Sequence, residues 1–259
     1  MKKALTIAGT DSSGGAGVQA DLKTFCAHKV YGMSVICAVT AQNTTGVTDV
    51  HNIPAETIGK QLDAVFTDIY PDAVKIGMVS VPENIRMIAD KLREYDAKNI
   101  VLDPVMISTS GCRLMEPEAE QVLSKLLFPL ASIITPNISE AEHLTGLAIR
   151  GKEDMLRAAN MLSSMTGGAV LVKGGHLNDC ADDLLLAEGK EIWYPGKRIH
   201  TQNTHGTGCT LSSAICCGLA EEFSVCVAVK KAKDYVAGAL ADGLDLGRGC
   251  GPLNHLYRI

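Results

Sequence analysis

The run Asn203–Thr204–His205–Gly206–Thr207–Gly208–Cys209–Thr210–Leu211 holds the densest chemistry in the chain. Gly206 and Gly208 open a strongly helical stretch, Cys209 to Glu221, with Leu211, Ala214, Ile215 and Leu219 spaced to face a core. Glycines at a helix start let backbone N–H groups converge on an anion, and the helix dipole adds roughly half a positive charge there. Such a turn suits the charge that develops on a transferred phosphoryl group. Cys209 falls in the first helical turn, a position that can lower a thiol pKa from about 8.5 and ready it as a base toward a hydroxyl. The same residues read equally well as a plain helix cap beside a small buried cysteine.

Four further residues carry charge or amide chemistry at the ends of apolar runs. Asn137 and Glu140 stand at i and i+3, which on a helix point the same way; a Mg²⁺ nearby would take one or two carboxylates, waters and phosphate oxygens. Taken alone, Glu140 reads better as a capping or solvated residue. Asp103 closes Leu102–Asp103–Pro104, where an acid is costly unless paired or used. Lys173 follows the apolar run 169–172 and can act as a point charge for phosphate.

These residues need elements to hold them. Period-2 and continuous apolar runs predict strands over 3–9, 33–41, 73–78, 99–104, 132–135 and 169–173. Short strands in a meander are expected at 184–186, 191–194 and 197–200. Helical periodicity predicts helices over 16–29, 54–66, 82–93, 117–127, about 138–145, 152–164, 207–221 and 225–242. The alternation predicts an α/β fold, a mostly parallel central sheet with helices on both faces. No linker or composition break divides residues 1–259, which read as a single domain with no visible internal repeat. Ligands bind at the carboxyl ends of the strands in such sheets, so the residues of interest are Asp11, Gln42–Asn43, Asp103, Asn137, Lys173 and the turn from His205 to Cys209.

Composition excludes several classes. Hydrophobic residues are 46% of 259, which rules out disorder and fibrous folds and supplies enough apolar surface for one large core. A formal charge of −5 and few aromatics argue against nucleic acid as the main partner; Lys230, Lys231 and Lys233 read as a solvated helix face. No apolar run reaches membrane-spanning length, and the apolar run at the N-terminus stops too early for a signal peptide, so a soluble, cytoplasmic protein is expected. Nine cysteines, an odd number without a C-x-x-C pair, fit reduced thiols rather than a disulfide framework or zinc site. Gly15–Ala16–Gly17–Val18–Gln19–Ala20 matches G-x-G-x-x-A, but five residues separate it from Gly9 and no acid follows near 35–40, so a glycine-rich turn over a ligand fits better than a dinucleotide site. No P-loop, H-E-x-x-H or G-x-S-x-G is present.

Taken together, ALTIAGTDSSGGAGVQADLKTF, TAQNTTGV, KIGM, LDPVM, TPNISEAEHLTG, VLVKGGH and NTHGTGCTLSSAI resemble the hydroxymethylpyrimidine/phosphomethylpyrimidine kinases of thiamine biosynthesis, over nearly the whole chain. These are members of the ribokinase-like superfamily, and the resemblance implies a three-layer sandwich. It implies phosphorylation of 4-amino-5-hydroxymethyl-2-methylpyrimidine by ATP, then of its monophosphate, with Mg²⁺. It assigns Gly206, Thr207, Gly208 and Cys209 to the phosphate-binding anion hole, Cys209 standing where most ribokinase-like kinases carry an Asp base. It assigns Asn137 and Glu140 to Mg²⁺ and phosphate, Lys173 to the ATP phosphates, and Asp103 to the metal and its waters. Gly9, Asp21, Gln42 and Met78 match the pyrimidine pocket; an amide at Gln42 offers the donor and acceptor that an aminopyrimidine needs. A homodimer is implied as well. A pyridoxal kinase with the same G-T-G-Cys turn is the alternative. The chain ends soon after its last expected helix, so no fused second enzyme is expected, and the Gly14–Gly15 loop and the segment 108–111 are candidate lids.

Overall fold

A computed structural model describes residues 1–106, 114–175, 181–196 and 199–258. The first half alternates β1 (Lys3–Gly9), α1 (Gly17–Ala27), β2 (Tyr31–Asn43), β3 (Gly46–Asn52), α2 (Ala55–Phe66), β4 (Ala73–Ile76), α3 (Pro82–Glu94) and β5 (Ile100–Leu102). Then follow α4 (Pro117–Leu126), β6 (Ile133–Ile134), α5 (Ile138–Thr145), α6 (Lys152–Ser163), β7 (Ala169–Val172), β8 (Asp183–Ala187) and β9 (Lys190–Tyr194). Two helices, α7 (Thr207–Ala220) and α8 (Val225–Asp242), close the chain.

The described strands form one sheet in the order β3-β2-β1-β4-β5-β6-β7-β8-β9. The middle six run parallel, with Leu5 beside Met33 and Val74. Antiparallel strands finish both sides: β3 pairs with β2, β8 with β7, and β9 with β8. Side chains alternate across the sheet, as a period of two requires. Leu5, Ile7, Val74, Ile76, Leu102, Ile134 and Val170 pack into one core with α2 to α6; Ala4, Ala73, Val101, Ile133 and Leu171 pack into a second core with α1, α7 and α8. Both faces are therefore covered, which is why the central strands read as continuous apolar runs. Helix α7 is buried from Thr210 to Ala220 on every side, so it is the innermost helix of its layer.

Connectivity sets where a ligand can enter. From β1 the chain crosses to β2 on one side, then returns past β1 to β4 on the other. The strand order therefore reverses between β1 and β4, and a crevice opens there beyond the carboxyl ends of the strands.

The expected mostly parallel sheet with helices on both faces is present, and three local expectations are corrected. Strand β2 runs to Asn43, not 41, and folds back as β3, a strand the sequence reading lacked. Its far end is half exposed and polar, so it resembles a loop in sequence, yet it pairs with β3 through an irregularity at Ala41–Gln42. Residues 199–200 form no strand, and 197–198 lie outside the described residues. Lys233 is not solvated: it pairs with Asp183 and ties α8 to β8, whereas Lys230 is exposed and bonded to Asp234. Among the described cysteines, Cys37, Cys216 and Cys217 are buried and all are free; Cys112 and Cys180 lie outside the described residues. No described helix is long and apolar enough to cross a membrane.

Candidate active site

The carboxyl ends of β5, β6 and β7 bring three of the anticipated residues together. Lys173 Nζ lies 2.8 Å from Asp103 Oδ1, which also accepts from Thr135 Oγ1 at 3.1 Å. Ser212 Oγ on α7 reaches the other Asp103 oxygen at 3.4 Å. Asn137 bridges to Lys173 in parallel register, which places the start of α5 beside the end of β7. There Asn137 and Glu140 form a capping box: Glu140 N–H donates to Asn137 Oδ1 at 2.9 Å, and Asn137 N–H donates to Glu140 Oε2 at 2.7 Å. Glu140 is thus both a helix cap, as its i+3 spacing suggested, and a carboxylate held at the site.

The electrostatics of this cluster favour a cation. Burial pushes the Glu140 carboxyl up to about 7; Lys173 pulls it down and the Asp103 charge pushes it further up. Burial opposes the Lys173 charge, but Asp103 and Glu140 outweigh it and hold the ammonium above the ordinary lysine range. Two neighbouring carboxylates, one of them hard to ionise, are the donor set that a divalent ion relieves. Among the described residues no group of three His, Cys, Asp or Glu forms a closed ligand shell. That suits Mg²⁺, which keeps waters and takes only one or two carboxylates beside phosphate oxygens.

Helix α7 aims its N-terminus at the same place. An added Cβ at Gly208 would lie 3.3 Å from Asp103 Oδ2 and 3.4 Å from Lys173 Nζ. Gly206 caps the helix at φ +81°, where a Cβ would strike the Gly15 carbonyl oxygen at 1.8 Å. Both the backbone conformation and the close approach therefore require glycine. Thr207 is bonded locally, its N–H and its hydroxyl both donating to Thr204 O. The N–H groups of Gly208 and Cys209 have no protein acceptor among the described residues, so these are the donors left for an anion. An open cleft of about 550 Å³, lined by Gly175, Ile199, His200, Thr201, Gln202 and Thr204, lies beside this turn.

The expected lowering of the Cys209 thiol is corrected. The thiol sits in the first turn of α7. Burial nevertheless pushes its pKa up to about 11; Lys75 pulls it down, while Asp21 and Asp103 push it up. It is therefore a neutral thiol at pH 7.

The Asp21 side chain is fully buried. One oxygen accepts from Thr6 Oγ1 at 2.6 Å and Lys75 Nζ at 2.7 Å, the other from Ser213 Oγ at 2.7 Å. Lys75, in the middle of β4, went unremarked in the sequence. Its signal was there, because a lysine inside Ala73–Val74–Lys75–Ile76 is costly unless paired. Burial opposes the Lys75 charge most strongly, but the nearby Asp21 and Asp103 charges and the Asp21 hydrogen bond together raise the lysine above its ordinary range.

On the far side of the crevice, Gly9 and Met78 are neighbours, an added Gly9 Cβ lying 3.2 Å from Met78 Sδ. Gln42 is half-buried within β2 rather than in a loop after it, and its Oε1 accepts from Thr40 Oγ1 at 3.3 Å. The glycines of the N-terminal loop answer to protein contacts. A Cβ at Gly15 would meet His205 at 2.4 Å, and one at Gly17 would meet the Gly9 carbonyl at 2.5 Å. Asp11 organises the loop, accepting from Ser13 N–H, Ser13 Oγ, Gly15 N–H and Ala16 N–H. The Gly14–Gly15 loop is thus held by Asp11; the other lid candidate, 108–111, and His176 lie outside the described residues.

Comparison with known proteins follows this geometry. The family described as phosphomethylpyrimidine kinase matches residues 11–254. A hydroxymethylpyrimidine/phosphomethylpyrimidine kinase of Rhizobium meliloti is 52% identical, covering 98% of this chain and 97% of its own. The crystal structure of a phosphomethylpyrimidine kinase from Clostridium difficile is 50% identical with a TM-score of 0.83, over 92% of this chain and 98% of that one. An ADP complex of Bacillus subtilis pyridoxal kinase superposes with a TM-score of 0.91 at 37% identity, over 98% and 97% of the two chains. The sheet and its layers are thus ribokinase-like.

Proposed function

The chain belongs to the phosphomethylpyrimidine kinase family, and we propose that it transfers the γ-phosphoryl group of ATP to 4-amino-5-hydroxymethyl-2-methylpyrimidine and then to the monophosphate, in thiamine biosynthesis. The observation that carries this reading is the convergence of Asp103, Lys173, the Asn137–Glu140 cap and the Gly206–Cys209 turn on one crevice. Asp103 and Glu140 would hold Mg²⁺, directly or through water, and the ion would neutralise phosphate charge. Lys173 would bring a second positive charge to the phosphates. The free N–H groups of Gly208 and Cys209 would hold the equatorial oxygens of the transferred group. Such a reaction depends mainly on positioning and electrostatics, so a neutral Cys209 suits it: the thiol, already protonated, would orient the acceptor hydroxyl, whose proton would leave late for an oxygen of the transferred phosphoryl group.

Gln42, Gly9 and Met78 would face the pyrimidine, while Asp21 would act from beneath, through Lys75 and Ser213. The nucleotide would extend from Lys173 toward the cleft at Gly175 and His200. Residues 1–259 would act as one kinase domain, as a cytoplasmic homodimer. A second acceptor, pyridoxal, is favoured by the likeness to the Bacillus subtilis enzyme. The test is ADP release with Mg-ATP and hydroxymethylpyrimidine, its monophosphate or pyridoxal as acceptor. Turnover on the first two is expected. Turnover on pyridoxal alone would reassign the acceptor, and none on any would reject the kinase.

A further inference from the structure

The best-connected polar group outside the phosphate cluster is the Asp11 carboxylate. Besides its four bonds to the N-terminal loop, Asp11 Oδ2 lies 2.7 Å from His205 Nε2, across 194 positions of sequence, and both side chains are buried. Burial works against the Asp11 charge, but hydrogen bonds from His205, Ser13 and Ala16 prevail and hold the carboxyl at about 2. An ionised carboxylate only accepts, so His205 Nε2 carries the proton toward it.

His205 immediately precedes the Gly206 cap. Its backbone N–H donates to Gly251 O at 3.0 Å, and its ring fills the space a Gly15 side chain would need. The loop that Asp11 organises has two other ends. Ser12 Oγ donates to Gln42 O at 2.7 Å and accepts from Gln42 N–H at 2.9 Å. The Gly15 carbonyl lies so close to Gly206 that a Cβ there would sit 1.8 Å from its oxygen. One short loop therefore touches the backbone of the residue matched to the acceptor and the turn matched to the phosphate.

We propose that the Asp11–His205 pair is a positioning device that locks the phosphate turn to the acceptor side of the crevice, so that the hydroxyl and the transferred group meet in line. This rests on the kinase reading above. Neither side chain is a catalytic residue; both act through Gly15, Gly206 and Gln42. A displacement of about 1 Å in such a register costs on the order of 100-fold in turnover while leaving each substrate its own contacts.

The experiment compares wild type with His205→Ala and His205→Gln; the glutamine amide nitrogen can take the place of Nε2. Asp11→Asn is a harsher companion, because its NH₂ would face other N–H donors. Expected for His205→Ala is a kcat lower by about 10- to 100-fold, with KM for ATP and for hydroxymethylpyrimidine changed less than about 3-fold. His205→Gln should recover most of the loss. Hydrogen exchange at Gly15, Ala16, Thr207 and Thr210 should speed up in His205→Ala and slow again in His205→Gln. An unchanged kcat, a loss carried by KM, or a glutamine variant no better than alanine would overturn the proposal. If wild type turns over no pyrimidine, the kinase reading fails by itself, and unchanged exchange at Thr207 and Thr210 in His205→Ala would still overturn the lock.

Discussion

Replacing Lys75 by Met removes one half of an ion pair whose side chains are both 0% exposed and 2.7 Å apart. Methionine fills much the same volume, so the packing loss is small. What remains is the Asp21 carboxylate, still accepting from Thr6 and Ser213 but without its counter-charge. Breaking a buried pair from one side costs about 3–5 kcal/mol. At roughly 2–4 °C per kcal/mol for a chain of this size, Tm should fall by about 10 °C. Asp21→Asn in the same protein removes the stranded charge and keeps an oxygen for the two hydroxyls. Asp21→Asn alone strands the Lys75 charge and should also cost about 3–5 kcal/mol, while the double variant should be only about 1–2 kcal/mol below wild type, giving a coupling of at least about 4 kcal/mol. The assay is urea unfolding of wild type, both single variants and the double, with equal m-values as the check on a common unfolded state. Additive single losses would refute the reasoning, since the two groups would then not be each other's partner.

The Cys209 thiol should react slowly with iodoacetamide at pH 7, its rate climbing beyond pH 9 toward about 11. Because folding raises this acid's pKa, its contribution to stability is complete below the unfolded thiol value of about 8.5 and is lost as pH rises to about 11. Cys209→Ala should fold and lose far less in kcat than the roughly 10²–10⁴ that removing a general base costs, because a protonated thiol only orients the hydroxyl; a loss of that size in initial rates of ADP release would refute this. Glu140→Gln keeps an oxygen to accept Asn137 N–H, so Tm should change by less than about 3 °C while the Mg²⁺ concentration for half-maximal rate rises at least about 10-fold. Gly206→Ala forces a Cβ onto the Gly15 carbonyl at a positive φ and should yield little folded, active protein by circular dichroism and turnover.

Much of the fold was legible because its signals are local. The runs at β1, β4 to β7 and the helices α2 to α8 announce themselves by apolar period, by Pro at the first helical turn of α3 and α4, and by the Asn137–Glu140 cap. The hairpin of β2 and β3 was missed at its far end because Gln42, Asn43, Thr44 and Thr45 look like a loop. Thr44 and Thr45 are indeed the turn, and only pairing with β3 makes Gln42 and Asn43 strand.

The sequence by itself determined that a glycine-opened helix starts at Gly206–Cys209. It also determined that Asp103, Asn137 and Lys173 end strands on the same side of a parallel sheet. Both follow from residue type and period, which need no knowledge of distant neighbours. Tertiary structure alone decided that burial raises the Cys209 thiol, that Asp21 pairs with Lys75, and that His205 closes on Asp11. Each of these depends on burial or on a partner 54 to 194 positions away, and desolvation outweighs the local helix-start effect that the sequence displays.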